Sequence, residues 1–384
     1  MRRLLLLVSA IMLVDTTFFT ALTPLLPHYA DTLGLSKTGA GILTAAFGVG
    51  TLVGSIPAGM LAARVGPKPA ILLGLTVLAA TSLVFGFGAN ALLLDAARFL
   101  QGAGGACTWT GSLAWLVAEA PAERRGQLIG TALGAAIGGA LLGPALGAAA
   151  ASLGTRPVFG AVPVVAALIA AFVVASPAPR PAVPQRLSAL RGRIGEPALV
   201  RGMWLVALAA MLFGIVSVLA PLRLSRLGFG AAAIGGAFLL SAGLEAALSP
   251  LLGRVADRRG TAPVARASLV ASMALAFAFP WPANAWVVAA LVVLGGLAFG
   301  GFWVPGLAML SAGADRTGLD QSFAFALMNL AWASGEGLGS LAGGTLGGQF
   351  GDPVPYCAAA ALCLVTFVTA GLTRAGSPAY SEST

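Results

Sequence analysis

The sequence is dominated by apolar runs of about 20 residues or more, separated by short gaps that hold most of the charged side chains. A helix of that length spans the hydrocarbon core of a bilayer. Twelve such runs occupy nearly the whole chain: 4–27, 38–62, 69–89, 91–118, 127–150, 157–175, 202–222, 231–252, 262–281, 284–311, 319–346 and 354–373. The sequence therefore predicts an all-α polytopic membrane protein with twelve transmembrane helices and no room for a soluble domain.

The composition excludes most other classes of protein. Of the 384 residues, 58% are apolar and only 9% are charged, whereas about 25% of the residues of a soluble domain are charged. A soluble globule has too little interior to bury so many apolar side chains. A soluble enzyme, a disordered chain and a secreted disulfide scaffold are therefore excluded.

Few residues are available for metal or redox chemistry. The three cysteines lie inside apolar runs, and His28 is the one histidine. We expect no metal site, no disulfide framework and no cofactor. The sequence has no G-x-x-x-x-G-K-[ST] loop for nucleotide phosphates and no recognisable catalytic triad. We therefore expect neither ATP hydrolysis nor enzymatic activity.

The basic residues are distributed unevenly across the predicted membrane. With the N-terminus placed in the cytoplasm, seventeen of the 22 lysines and arginines fall on the cytoplasmic side. The other side receives Lys37, Arg156, Arg223 and Arg226, and Arg98 lies within a span. This asymmetry is typical of a chain with both termini in the cytoplasm, and we expect a plasma (inner) membrane location. The net charge of +9 is thus a topology signal, so no nucleic acid partner is expected.

The longest polar gap, 176–201, contains five prolines and five arginines and predicts a cytoplasmic linker. It would join an N-terminal six-helix bundle, 1–175, to a C-terminal bundle with a short tail, 202–384. A constant shift of 194 residues superposes landmarks of the two parts, such as Trp109 on Trp303 and Gly143 on Gly337. Two parallel six-helix repeats are the arrangement of the major facilitator transporters.

Four motifs carry a resemblance to that superfamily, most strongly to its drug:proton antiporter branch. The segment 98–106, RFLQGAGGA, is similar to the family's R-x-x-Q-G-x-G-A motif. The segment 139–148 is similar to the antiporter pattern G-x-x-x-G-P-x-x-G-G, with Gly143 and Pro144 at its centre. The first run has Asp15 followed by prolines, as in the antiporter's first helix. The resemblance implies the major facilitator fold and export by antiport.

The fourth motif follows the second run. Residues 59–68, GMLAARVGPK, resemble the family's G-x-L-A-D-R-x-G-R-K, with Ala63 where the family has Asp. The equivalent stretch 253–260 keeps the acid as Asp257. The resemblance implies a clamp that closes the cytoplasmic side of the outward-facing state. The predicted conformational gate comprises Gly59, Arg64, Gly66, Lys68, Asp257 and Arg258, together with Gly143 and Pro144.

Three acidic residues lie deep in apolar runs and are candidates for proton coupling: Asp15, Glu245 and Glu336. An ionisable residue inside the membrane is expensive and marks a functional site by default. Counting along the helices predicts that Arg98 reaches the depth of Asp15 and pairs with it, with Gln101 nearby. The alternative for Glu336 is a structural role, in which its hydrogen bonds only hold two helices together. The alternatives for Glu245 are proton exit and structural pairing.

The substrate cavity is predicted to be apolar and partly aromatic, lined by Trp109, Trp303, Asn329 and Trp332. Packing or lipid contact is the alternative role for these residues. The leading function is proton-coupled efflux of small amphipathic or drug-like compounds by alternating access. The alternatives are uptake, or transport of a sugar or metabolite, on the same fold, and a membrane receptor or sensor that transports nothing. The expected partners are a small-molecule substrate, protons and the lipid bilayer, and a monomer is expected.

Overall fold

The computed structural model describes residues 1–88, 90–121, 125–177, 192–319 and 321–369, and these residues are almost entirely helical. The helices are α1 (Arg2–Thr20), α2 (Leu22–Leu33), α3 (Lys37–Arg64), α4 (Pro67–Phe87), α5 (Ala91–Glu119), α6 (Arg125–Leu153), α7 (Thr155–Gly160), α8 (Val162–Ala175), α9 (Pro197–Arg226), α10 (Ala231–Arg259), α11 (Thr261–Ala278), α12 (Ala285–Gly300), α13 (Trp303–Thr317), α14 (Gln321–Gln349) and α15 (Pro353–Thr369). The all-α membrane fold predicted from the sequence is confirmed.

Three of the predicted spans are each divided into two consecutive helices. The chain breaks briefly between α1 and α2, between α7 and α8, and between α12 and α13, so the helices of the described residues correspond to the twelve predicted runs. Nine helical segments within the described residues are long and apolar enough to cross a membrane by length and composition. The helices α5 and α14, which are not among the nine, carry Arg98 and Glu336.

The helix α9 begins at Pro197, five residues before the predicted start of the seventh run at 202. Glu196 caps it, since its carboxylate accepts a hydrogen bond from the backbone N–H of Ala198 at 3.3 Å. Proline at the first helical position adds a preset backbone angle at no cost in hydrogen bonds. The end of the predicted linker 176–201 is therefore helical. Most of that linker, 178–191, and the predicted tail beyond 369 lie outside the described residues.

Small residues allow the helices to approach closely, and the 194-residue shift holds for these contacts. Gly102 of α5 packs against the backbone of Phe47 on α3. Gly296 of α12 packs against Ser241 of α10, mainly against its side chain. Both members of the second contact lie 194 residues after their counterparts. This contact between helices is therefore repeated at equivalent positions in the two parts of the chain.

The helices α3 and α14 meet only along part of their length. A Cβ atom at Gly41 would lie 2.9 Å from the Cα of Gly344, and one at Gly48 would lie 2.9 Å from the backbone nitrogen of Gly337. About three turns further along the same side of α3, the position of a Cβ atom at Gly59 has no neighbour within 4 Å. The two helices therefore separate toward the end of α3 that carries Arg64.

We call the end with Lys37 the Lys37 face and the opposite end the Arg64 face. The pair α6 and α10 behaves in the same way as α3 and α14. Gly235, at the Lys37 end of α10, packs against the carbonyl of Pro144. Toward the Arg64 face, neither Gly130 of α6 nor Gly253 of α10 has a neighbour within 4 Å of the position of a Cβ atom. The molecule is closed at the Lys37 face and open at the Arg64 face.

The substitution Gly102→Ala tests the close packing of α3 on α5. The added methyl group would collide with backbone atoms of Phe47 and Thr51, so the helices must move apart, at a cost of about 1–3 kcal/mol. We expect a lower thermal unfolding midpoint in detergent. Gly134→Ala on α6 is the control, because its methyl group would enter open space. Equal midpoints for the two variants would contradict this packing.

Candidate functional site

Asp15 and Glu336 are buried, with 5% and 4% of their surface exposed, and Arg98 is buried to the same degree at 2%. Asp15 lies on α1, Arg98 on α5 and Glu336 on α14. A buried charge is costly unless hydrogen bonds or an opposite charge compensate it. The partners of these three side chains therefore define the candidate site.

Asp15 is held by two polar side chains of α5. The indole N–H of Trp109 donates to Oδ2 at 3.1 Å, and the hydroxyl of Thr108 lies 3.2 Å from Oδ1 and 2.8 Å from the carbonyl of Gly105, so its proton is shared between two acceptors. Gly105, one turn earlier on α5, leaves room for the carboxylate, since a Cβ atom there would lie 3.3 Å from Oδ2. Glycine, threonine and tryptophan on one stretch of α5 thus form a cradle for the Asp15 carboxylate.

The predicted ion pair between Asp15 and Arg98 is wrong for this conformation. The ion pairs among the described residues do not include it. The Asp15 carboxylate instead contacts Gly105 and Thr108, which lie seven and ten residues after Arg98 on α5. The guanidinium of Arg98 instead donates to the Gln101 side chain at 2.7 Å and to the carbonyl of Phe19 at 2.9 Å. The predicted closeness of Gln101 to Arg98 is confirmed.

Two phenyl rings complete the surroundings of Arg98. The guanidinium carbon lies 5.1 Å from the ring centre of Phe19 and 4.8 Å from that of Phe47. A cation over an aromatic face is stabilised by the ring's quadrupole, more so away from water. Arg98 is therefore held by one side-chain acceptor, one backbone carbonyl and two aromatic rings, and the buried acids Asp15 and Glu336 lie on other helices.

Glu336 lies where α14 crosses α9. Its carboxylate is 3.3 Å from the hydroxyl of Ser340, one turn later on the same helix, and that hydroxyl is 3.4 Å from the carbonyl of Gly214 on α9. A single hydroxyl proton serves only one of these acceptors fully at a time. Among the described residues, the Glu336 carboxylate therefore has one weak hydrogen bond.

Glu245 lies apart from this cluster. It is half-buried on α10, and its carboxylate packs against Gly300 at the end of α12. No hydrogen bond or ion pair to this carboxylate is found among the described residues. The alternatives for Glu245, proton exit or structural pairing, both remain predictions, with no pairing partner found in the part of the chain that the structure describes.

The four predicted cavity residues separate into different environments. Trp332 of α14 packs edge-on against Phe19 at 5.4 Å and Phe47 at 6.2 Å, so it covers the rings that hold Arg98. Trp109 is engaged by Asp15, and Trp303 packs in an apolar cluster of the C-terminal helices. Asn329, one turn before Trp332, is half-buried. Among these four residues, Trp109 thus contacts the charge cluster at Asp15 and Trp332 lies beside the rings around Arg98, whereas Trp303 packs elsewhere.

Two buried donors in the cluster have no hydrogen-bond acceptor among the residues that the structure describes. They are the Nε–H of Arg98 and the amide nitrogen of Gln101. A buried donor without a partner costs about 1–3 kcal/mol. The site therefore has unused capacity to bind an acceptor atom, such as a carboxylate, a water molecule or an oxygen of a ligand.

The predicted gate residues lie in two groups. Gly143 packs against Thr17 and Thr20 of α1, and Pro144 contacts α10 through Gly235. The second group lies at the open Arg64 face. Arg64 is exposed there, and Lys68 donates to the carbonyl of Val174 at 3.0 Å, within the N-terminal part of the chain.

The positive backbone angles of Gly66 (φ 111°) and Gly260 (φ 83°) explain why glycine occupies both turns of the repeated motif. Gly59 has open space around it and Arg258 is exposed, while the side chain of Asp257 lies outside the described residues. The clamp role of this group stays a prediction.

Sequence reasoning missed several residues of the site: Gly105, Thr108, Phe19, Phe47 and Ser340. Thr108 and Ser340 were detectable as polar residues inside apolar runs, the latter one helical turn after Glu336. The phenylalanines gave no signal, because an apolar helix of this kind contains many aromatic residues that only pack.

Comparison with known proteins finds matches that together cover nearly the whole chain. The family model of the Major Facilitator Superfamily matches residues 7–318 and, separately, 202–383. A chloramphenicol resistance protein of Streptomyces lividans is 30% identical over 383 residues, which cover 95% of this chain and 94% of that protein.

Two solved structures illustrate the likeness of fold. A D-xylose–proton symporter matches with a TM-score of 0.77 and 16% identity, over 95% of this chain and 96% of that one. A bacterial homologue of the human lysosomal transporter Spinster, in an inward-facing and unoccupied conformation, matches with a TM-score of 0.72 and 16% identity, over 96% and 93% of the two chains. At such identities these matches show a shared fold alone.

The substitution Thr108→Val tests the cradle of Asp15. It keeps the shape of the side chain but removes a donor from a buried carboxylate, so we expect a loss of about 1–3 kcal/mol in unfolding free energy. In an Asp15→Asn background the loss should shrink, because the charge is gone. Thr81→Val is the matched control, since the buried Thr81 hydroxyl bonds only to carbonyls of its own helix. Additive losses in the double variant would contradict the contact.

Proposed function

Because the chain belongs to the major facilitator superfamily and is therefore a membrane transporter rather than an enzyme, we propose that it exports small amphipathic compounds in exchange for protons. The observation that carries this proposal is the burial of two acids, Asp15 and Glu336, and one arginine, Arg98, in the membrane-spanning region. A proton-coupled carrier needs a buried group whose charge alternates during the cycle, and a buried carboxylate can supply it.

Protonation at this site changes the force between helices. Arg98 lies on α5 and Glu336 on α14, which belong to the two repeats. An ionised Glu336 is attracted to the guanidinium across the interface, and a protonated Glu336 is not. Loading or removing a proton thus alters how strongly the two repeats attract each other at mid-membrane. This is the coupling that exchange of a substrate for a proton requires.

The proposed cycle begins from a conformation like the one described, open at the Arg64 face and closed at the Lys37 face. A substrate enters from the Arg64 face and reaches the aromatic group of Phe19, Phe47 and Trp332. Its arrival favours release of a proton to the same side, and the repeats then rock to open the Lys37 face. Protons arriving from that side reload the acids and reset the transporter.

The orientation and organisation follow from the charge distribution. We propose that the Arg64 face is cytoplasmic, that both termini lie on that side, and that the membrane is the plasma (inner) membrane. The proposed units are the bundles 1–175 and 202–384, joined by a linker within 176–201 and acting as a monomer. In the outward-open state, Arg64, Lys68 and their counterparts near Asp257 would close the cytoplasmic side.

The proposed substrate class rests on the surroundings of Arg98. Three aromatic rings offer flat apolar contacts, and the unpaired donors of Arg98 and Gln101 can bind an oxygen acceptor. Compounds with an apolar ring and a few polar groups fit such a site better than sugars, which need many polar partners. The relative named for chloramphenicol resistance supports export of a compound of this kind.

The test is transport by the purified full-length protein in proteoliposomes with an imposed pH gradient. Chloramphenicol, a neutral molecule that does not collect in an acidic lumen by itself, is the first probe, followed by a panel of amphipathic antibiotics. An antiporter accumulates the probe when the lumen is acidic, and a symporter does so when the lumen is alkaline. We expect accumulation in the acidic lumen.

Substitutions separate coupling from binding. Asp15→Asn and Glu336→Gln should abolish accumulation driven by the pH gradient while substrate–substrate exchange at zero gradient persists. Asp31→Asn is the control, because Asp31 is an exposed acid at the Lys37 face. The proposal fails if no probe moves with the gradient, or if both buried-acid variants transport like the native protein.

A further inference from the structure

Three of the four basic residues at the Lys37 face converge on one place. Lys37, Arg223 and Arg226 line a cavity of about 340 Å³ together with Asp352, Leu227 and two prolines. This face has few cations, so their clustering around a single carboxylate is unexpected. Arg156, the fourth, lies elsewhere and contacts the ring of Phe87.

Lys37 connects two helices that are distant in sequence. It is the first residue of α3, whose start is fixed by Ser36, since the Ser36 side chain accepts the N–H of Gly39 at 3.1 Å. The Lys37 ammonium forms an ion pair with Asp352, in the turn between α14 and α15, and donates to the carbonyl of Gly347 at 3.2 Å. The contact therefore joins the first repeat to the second.

The other two cations act differently from each other. Arg226, at the end of α9, lies 3.7 Å from the second oxygen of Asp352 and is more than half exposed. The two terminal nitrogens of Arg223 donate hydrogen bonds to the carbonyls of Pro280 and Pro282, at 2.6 and 2.7 Å. Arg223 thus fixes the turn between α11 and α12, whereas Lys37 and Arg226 share the carboxylate of Asp352.

The ion pair lies where the Lys37 face must part to open. Directly behind it, α3 and α14 touch backbone to backbone at Gly41 and Gly344, and Gly348 packs on Thr38. Because glycines bring the two backbones into contact here, no interdigitating side chains hold the helices together when they separate. The polar contacts of Lys37 with Gly347 and Asp352 are the ones that separation of these ends must break.

We propose that Lys37 and Asp352 form an ionic latch that holds the Lys37 face closed, with Arg226 as its auxiliary cation. The Lys37 and Asp352 side chains are 22% and 13% exposed. Their attraction is thus less screened than at an open surface, yet water can resolvate them when the latch opens. Such a contact favours the closed state moderately and can break in every cycle. The latch concerns the closure of this face and depends on neither the cargo nor the coupling ion.

The experiment measures the two faces in the full-length protein in nanodiscs, with its three native cysteines replaced by alanine. One pair of nitroxide labels at Thr32 and Phe350 reports on the Lys37 face, and a second at Met60 and Val255 reports on the Arg64 face. All four side chains are exposed. Pulsed electron paramagnetic resonance then gives the distance distribution for each pair.

We expect Lys37→Gln and Asp352→Asn each to raise the ratio of open to closed Lys37 face by about three- to tenfold, in line with a partly screened ion pair. The Arg64 face should close to a matching extent. Arg226→Gln should give a smaller shift. Arg156→Gln, which removes an exposed cation from the same face outside the cavity, should give none.

The reversed pair, Lys37→Asp with Asp352→Lys, protects the test against misfolding of a single variant. If attraction between the two side chains is the cause, the reversed pair restores most of the closed population that either reversal alone loses. Unchanged distances in Lys37→Gln and Asp352→Asn would overturn the latch. An equal shift in Arg156→Gln would overturn it too, because the opening would then depend on the total charge of the Lys37 face and not on the contact between Lys37 and Asp352.

Discussion

The structure depends on the cost of placing charge inside an apolar protein. The chain spends almost all of its charged residues at the membrane surfaces, yet it buries Asp15, Arg98 and Glu336. Each of the three is compensated differently: Asp15 by the Trp109 indole and a shared Thr108 hydroxyl, Arg98 by acceptors and aromatic rings, and Glu336 by one weak hydrogen bond. Among the described residues, Glu336 is thus the member of the three with the fewest partners.

Much of the fold can be predicted from the sequence, because the length and spacing of the apolar runs along the chain largely determine it. Run length predicts the helices, and the constant shift of 194 residues predicts contacts such as that of Gly296 with Ser241. The burial of the acids also follows, since residues in an apolar run have no water beside them. The pairing inside the site does not follow, because it depends on how α1 and α5 are offset along their axes. Counting residues from the ends of the predicted spans placed Asp15 at the same depth as Arg98. In the structure, Asp15 lies opposite Thr108 instead.

The two contacts that govern opening differ in kind. At mid-membrane, the attraction between Arg98 and Glu336 depends on the protonation state of an acid, so it can respond to the proton gradient. At the Lys37 face, the proposed latch of Lys37 and Asp352 is partly exposed to water and favours closure whatever the state of the buried acids. Between these two places, glycines let α3 and α14 contact each other backbone to backbone. We propose that the two contacts together control the alternation between the open states.

The central claim is that substrate and proton exclude each other at the cluster around Arg98. The most direct measurement is proton release when chloramphenicol binds the purified protein in weakly buffered detergent solution, followed with a pH-sensitive dye. The account predicts release in the native protein, with loss of that release in Asp15→Asn combined with Glu336→Gln while binding persists. Binding of chloramphenicol to the native protein without any release of protons, across the pH range in which it transports, would contradict the account.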